Sequence, residues 1–277
     1  MRLLSTRELS DALGVSESSL KRWVDAGRIA ASRTEGGHRR IELSEALRFI
    51  RDARAPVVRP DLLGLPAATG PHDRLIDHLL AGDVAGARAW LAARYLEGDT
   101  VAGLADGPIR DAMHALGELW RHDDAGVFLE HRATDACLQA IAQLRAMLPA
   151  PRPRAPCAVG GTPAGDPYLV ASQLSAMVAA EGGMRAVNLG PDVPTPALAR
   201  AVAELRPKLV WISVSVPIAP ARAGALARAL EAMPRPITVV VGGRESAGLK
   251  LPERVVRGSA MADLAVAVRS TMVRERG

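Results

Sequence analysis

The chain has 277 residues, 48% hydrophobic and 23% charged, with a formal net charge of +5 and two cysteines, Cys137 and Cys157. That length and balance exclude a single small domain and a disordered chain, and no run approaches the roughly 18 to 20 apolar residues that span a bilayer. Two cysteines exclude a disulfide framework or a cysteine zinc site, and the lack of a signal-peptide core after Met1 points to the cytoplasm and to no membrane partner.

The charge is uneven along the chain. Residues 1–59 hold 12 Lys/Arg against 8 Asp/Glu, whereas residues 60–277 hold 23 against 22. Six basic and two acidic residues fall within 21–40, a concentration suited to phosphate contacts.

In this first segment Leu3, Leu9, Leu13 and Val15, then Leu20, Trp23 and Val24, are spaced to share one face of two short helices. Ser5-Thr-Arg-Glu8 has the capping-box arrangement. Gly14-Val-Ser16 then breaks the first helix, and Ser16 caps the second. Residues 28–33 and 38–43 are strand-like halves around Thr34-Glu-Gly-Gly37, a hairpin wing. The second helix offers Ser18, Ser19, Lys21 and Arg22 on its exposed side, with Trp23 assigned to the core. His38, Arg39 and Arg40 follow a glycine pair that lets the wing approach a duplex. These seven are the candidate DNA contacts, the first four toward the major groove.

Residues 56–72 and 149–156 are rich in Pro, Ala and Gly and read as linkers. Between them, residues 73–148 show helical runs near 73–81, 83–97, 100–121 and 124–148, with apolar stripes such as Leu138, Ile141, Leu144 and Leu148. A four-helix bundle is the natural packing. Residues 157–277 alternate strand-like runs (157–160, 184–189, 209–214, 237–241, 254–257) with helical ones (168–181, 196–205, 221–233, 245–249, 260–270). This order implies an α/β, Rossmann-like (flavodoxin-like) parallel sheet with helices on both faces and its ligand site at the carboxyl ends of the strands.

The passage from Leu4 to Arg28, with Thr34-Glu-Gly-Gly-His-Arg-Arg-Ile41, resembles the winged-helix domain of the MerR family over about 50 residues. The resemblance implies a multidomain regulator with residues 1–55 as DNA reader, binding its operator as a dimer or higher oligomer because one module reads a half-site. The long coiled-coil helix of many MerR proteins is absent, which leaves assembly to the bundle and the C-terminal domain.

Trp120, followed after nine residues by Glu130-His131, resembles the motif of the light-sensing CarH/CarA-type repressors. By that resemblance the bundle caps the upper face of adenosylcobalamin, Trp120 stands over the upper ligand and His131 approaches the metal. The last domain resembles cobalamin modules of the methionine-synthase type, which carry Asp-x-His-x-x-Gly, Ser-x-Leu and Gly-Gly. Here Asp166-Pro-Tyr168-Leu-Val-Ala171 takes the first place, 41 residues precede Ser213-Val-Ser215, and 26 more precede Gly242-Gly243.

Tyr168 stands where the family has the histidine that ligates cobalt from below and that the Asp orients through its other nitrogen. A phenol with an ordinary pKa of about 10 is a poor metal ligand, and Ala171 in place of Gly narrows the path of the nucleotide tail. Three outcomes stay open: cobalamin held without lower-face ligation, with His131 as metal ligand; another tetrapyrrole, a bilin or haem; or no cofactor, the module serving oligomerisation.

A corrinoid carrier for methyl transfer is the competing class, and it depends on the missing histidine. His114, His122 and His131 are spaced too irregularly for a metal triad, and Gly160-Gly-Thr-Pro-Ala-Gly165 lacks the Lys and Ser/Thr of a phosphate loop. The expectation is therefore a transcription regulator, not an enzyme, with repression and a light response implied by resemblance alone.

Overall fold

The computed structural model describes residues 2–65, 74–119 and 124–275. These divide into two compact units, residues 1–100 with 107–149 and residues 101–106 with 150–277.

The first unit opens with strand β1 (Leu3–Ser5), then helices α1 (Thr6–Leu13) and α2 (Glu17–Asp25), strands β2 (Ser32–Arg33) and β3 (Arg39–Glu42), and helix α3 (Leu43–Ala53). The capping box forms as expected, Ser5 Oγ accepting the Glu8 N–H while the Glu8 carboxylate accepts the Ser5 N–H. Gly14 ends α1 at φ 65°, a left-handed conformation that glycine adopts without strain, and Ser16 Oγ accepts the Ser19 N–H to start α2.

Two elements escaped the sequence reading. Leu3, assigned there to a helix face, lies in β1, which pairs antiparallel with β3 in the order β1-β3-β2; this leaves Leu3 half-exposed while Leu4 is buried against Ile41. Helix α3 adds Leu47, Phe49 and Ile50 to the core. Trp23, assigned to the core, is half-buried, its ring 5.3 Å from that of Phe49.

The expected linker 56–72 begins as docked chain. Val58 and Arg59 donate their N–H groups to the Ala12 carbonyl, and a 3-10 turn at Pro60–Leu63 buries Leu63. Arg2 secures this turn through the Leu62 carbonyl at 2.7 Å. Pro and Gly content mimics a linker wherever it serves tight turns against a core.

The bundle of the same unit comprises α4 (Leu75–Ala81), α5 (Val84–Leu96), α7 (Arg110–Leu119) and α8 (Asp124–Met147). Leu79, Leu91, Leu116, Ile141 and Leu144 form its buried interior. Helix α3 packs on α5, where the Arg51 guanidinium lies 4.1 Å over the Tyr95 ring, joining DNA reader and bundle.

The run expected over 100–121 is divided. Helix α6 (Val101–Leu104) passes into a π-type turn, Ala105–Ile109, kinked at Gly107 (φ −107°, ψ −106°) next to Pro108, which has no N–H to continue a ladder. Residues 101–106 belong to the sheet unit. There α6 packs on helices α9 (Val170–Glu181) and α12 (Met261–Arg274), and the Asp106 carboxylate accepts the N–H groups of Met261 and Ala262 at 2.8 and 2.9 Å. A carboxylate there satisfies open amides and complements the positive end of α12.

The sheet unit carries β4 (Cys157–Gly161), β5 (Arg185–Asn188), β6 (Leu209–Ser213), β7 (Thr238–Gly242) and β8 (Val256–Arg257), all parallel in the order β5-β4-β6-β7-β8. Taken by position, this is the 2-1-3-4-5 order of flavodoxin-like folds, with its reversal point between β4 and β6. Val159, Val210, Ile212, Val239 and Val241 face helices α10 (Thr195–Leu205) and α11 (Pro220–Glu231) in one apolar cluster. The opposite face carries Trp211 and Ser213 toward α9 and α12.

Among the described residues no helix is long and apolar enough to cross a membrane.

Candidate nucleic-acid interface and cofactor site

A groove of about 350 Å³ runs between the start of α1, helix α2 and the wing, lined by Arg7, Lys21, His38, Arg39 and Arg40 together with Ser5, Thr6 and Glu17. Four of the seven candidate DNA residues therefore converge. Ser18, Ser19 and Arg22 lie outside the groove lining, on the neighbouring surface of α2, where Ser16 Oγ lies 2.9 Å from both Ser18 Oγ and Ser19 Oγ and Arg22 reaches Ser19 at 3.4 Å. Arg7, missed in the sequence reading, was marked only by its place in the first turn of α1.

The basic side chains of the groove differ in how they are held. Lys21 pairs with Glu17 at 3.0 Å, both half-exposed, and Glu17 also accepts from Thr6. The Lys21 ammonium, then the Thr6 hydroxyl, hold the Glu17 carboxyl below its ordinary range. Arg39 shares the face of buried Ile41 and is tied to Asp25 at 2.6 Å, whereas Arg40 projects from the opposite face of β3 beside Ser5. Gly37, at φ 78°, turns the wing, its N–H donated to the Thr34 carbonyl.

In the bundle, Trp120 lies outside the described residues, as does His122. Glu130 and His131 sit on α8. His131 is 71% exposed, and its Nδ1 lies 2.9 Å from both the Val127 carbonyl and the Glu130 carboxylate. Both partners are acceptors, so in the neutral ring Nδ1 carries the proton and Nε2 the lone pair, the tautomer that ligation through Nε2 requires. Thr134 donates to the other Glu130 oxygen and fixes that carboxylate. Phe128, 62% exposed, stands one turn before Arg132, whose guanidinium lies 5.2 Å from its ring. Its i, i+3 relation to His131 could have singled it out in the sequence.

In the sheet unit Asp166, Tyr168, Ser213, Ser215, Gly242 and Gly243 gather at the carboxyl ends of β4, β6 and β7, as expected from their spacing. The chemistry there is not that of a cobalt ligand. Asp166 is fully buried, one carboxylate oxygen accepting the Tyr168 N–H at 3.0 Å and the other the Ser215 N–H at 2.5 Å. The Tyr168 side chain is half-exposed beside it. A carboxylate spent on backbone amides next to a neutral phenol cannot present or orient a lower ligand. The residues present thus do not fit a cobalt ligated from below by the protein. Among the described residues no group of three or more His, Cys, Asp or Glu is placed to hold a metal ion.

Gly243, at φ 101°, packs where a Cβ would collide with the Val214 backbone, and Gly242 pairs in register with Ser213. Gly243 is accounted for by the close approach of the chain to the end of β6, whereas a Cβ at Gly242 would press on the Gly258 carbonyl at 3.1 Å, on the β8 side.

A family model described as a helix-turn-helix domain matches residues 3–54, and one described as a B12 binding domain matches residues 71–145. The chain carries a DNA-binding domain and a cobalamin-type module. The structure of the monomethylamine corrinoid protein of Methanosarcina barkeri superposes with a TM-score of 0.52 at 15% identity, covering 72% of this chain and 96% of that one. It shows the shared fold of bundle and sheet. The methanol:cobalamin methyltransferase complex MtaBC of Methanosarcina barkeri matches at 19% identity over 94% and 97% of the two chains, with a TM-score of 0.37. A cobalamin-binding protein from Desulfitobacterium hafniense matches at 17% identity over 73% and 96%, with a TM-score of 0.33. No curated protein matches the chain.

Proposed function

We propose that this chain is a cytoplasmic transcription regulator, a repressor of MerR type, that reads a double-stranded DNA operator as a dimer or higher oligomer and whose remaining domains sense a tetrapyrrole. The observation that carries the DNA reading is the convergence of Arg7, Lys21, His38, Arg39 and Arg40 on one groove beside a capped helix-turn-helix. Residues 1–55 are the reader, 73–148 the cobalamin-cap-like bundle and 157–277 the cobalamin-type sheet domain. Ser18, Ser19, Lys21 and Arg22 approach the major groove, and the wing residues approach the backbone.

Sensing follows the CarH/CarA resemblance, with Trp120, Glu130 and His131 on the ligand's upper face. A bound ligand favours one oligomeric arrangement, and DNA affinity changes through that linkage. The exposed His131 side chain, held through Nδ1, supports a metal-centred macrocycle. Light enters as the trigger if the ligand's upper bond is photolabile.

A second reading is favoured by one observation, the engagement of both Asp166 oxygens with backbone amides. In it the module is cofactor-free and serves assembly. A methyl-transfer carrier is disfavoured by the same geometry, since such chemistry needs a tuned lower ligand.

The test is selection of duplexes from a random library by the full chain, followed by visible spectra after desalting from adenosylcobalamin, hydroxocobalamin, haem and biliverdin in the dark. Enrichment of a motif together with a retained chromophore supports the sensor. Enrichment with a colourless protein supports the cofactor-free reading. Absence of enrichment overturns both.

A further inference from the structure

Ligands of doubly wound sheets lie in the crevice beyond the carboxyl ends of the strands, where the strand order reverses. In this sheet the reversal falls between β4 and β6. That crevice is spanned by the chain's own groups. The buried Asp166 carboxylate ties the loop after β4 to Ser215 after β6, while its backbone carbonyl accepts from Thr162 Oγ1 at 2.6 Å and from the Asp192 N–H at 2.9 Å.

The gap between α9 and the sheet, through which a ligand's tail would pass, is closed as well. Ser175 of α9 lies 3.2 Å from Ser213 Oγ of β6, donates to the Ala171 carbonyl at 2.9 Å, and lies 3.6 Å from Met261 Sδ of α12. Deeper, the Trp211 indole is 1% exposed and fits over Gly160, where a Cβ would collide with the ring. Its Nε1 has no hydrogen-bond partner, so the residue is held there by volume rather than by polar bonding.

We infer that the sheet unit is self-filled: Ser175 and Trp211 occupy the gap between α9 and the sheet that a nucleotide tail would take, and any tetrapyrrole bound by this chain is held through its ring, independently of a tail. The inference rests on the proposed tetrapyrrole reading only for its choice of probe. It extends that reading to a ligand class, macrocycles without an inserted nucleotide.

The test compares hydroxocobalamin with cobinamide, the corrinoid lacking the nucleotide loop, by spectral titration of the full chain, with amide hydrogen exchange at Ser215 and Tyr168 followed in parallel. The expected result is dissociation constants that agree within about threefold, with exchange at both amides unchanged by ligand. Cobalamin binding about tenfold or more tighter than cobinamide, or exchange at Ser215 that responds to cobalamin alone, would overturn the inference. Binding of neither corrinoid supports the closed crevice and counts instead against the sensor reading.

Discussion

The Asp166 carboxylate accepts the Ser215 backbone N–H at 2.5 Å, and through that bond the loops after β4 and β6 are held together at the point where the strand order reverses. The same carboxylate holds the Tyr168 N–H, so its loss strands two amides in a buried setting. Asp166→Ala is expected to lower the unfolding free energy by about 2–4 kcal/mol, read from urea denaturation, because hydrogen bonds to a charged partner are stronger than neutral ones and buried donors are costly to leave open. A loss below about 1 kcal/mol would show that the loops do not depend on it.

Arg39 and Arg40 are neighbours with different tasks. Arg40 is expected to contribute to phosphate contact, so Arg40→Ala weakens binding to all duplexes alike and reduces the salt slope by about one. Arg39 is tied to Asp25 at 2.6 Å, so it also braces the wing and its charge is partly met within the chain. Arg39→Ala should lower the thermal midpoint and leave the slope closer to that of the wild type. Equal slopes for the two variants would remove the distinction.

His131 and Glu130 form a testable pair. If His131 meets a bound cobalamin, His131→Ala abolishes the spectral shift of protein-coordinated cobalt. Glu130→Gln, by loosening the ring's orientation, weakens binding by about 10-fold or more. An unchanged spectrum in His131→Ala places the metal elsewhere.

Stability in acid should carry the signature of the helix caps. The Ser5 N–H and then the Ser5 hydroxyl hold the Glu8 carboxyl below its ordinary value of 4.5, and the Ser259 N–H acts likewise on Asp263 at the start of α12. A depressed carboxyl contributes stability that is complete above its unfolded value and is lost as pH falls through its folded one. Thermal midpoints should therefore be flat at neutral pH and fall in the acid range. Ser5→Ala should cost about 1 kcal/mol at neutral pH and flatten part of that acid fall.

Burial pushes the Cys137 thiol up to about 12 in the bundle core. Alkylation at neutral pH, followed by mass spectrometry, should leave Cys137 unmodified until denaturant opens the bundle. Rapid labelling of the native chain would mean that the bundle opens locally at low cost.

Local signals carried much of this structure. Ser5, Glu8 and Ser16 marked the helix starts, and Gly36-Gly37 the wing, because capping and turn chemistry are satisfied within a few residues. The sheet was legible from alternating apolar runs and Pro/Gly breaks. What stayed hidden depended on distant partners. Strand β1 exists only because β3 lies beside it, and 101–106 leaves the bundle because Asp106 meets the open amides of α12, more than 150 residues onward. The hydrogen bonding of Asp166 was hidden for the same reason. Motif spacing gave its place, while the amides of Tyr168 and Ser215 decide what its carboxylate can do.

The most direct test of the central claim is the affinity of the full chain for a selected duplex, followed by fluorescence anisotropy over a range of salt concentrations, with wild type beside Lys21→Ala and Arg40→Ala. The account predicts that log affinity falls linearly with log salt and that each variant shows a shallower line. A chain that binds no duplex at low salt, or whose affinity ignores both salt and the two substitutions, would contradict it.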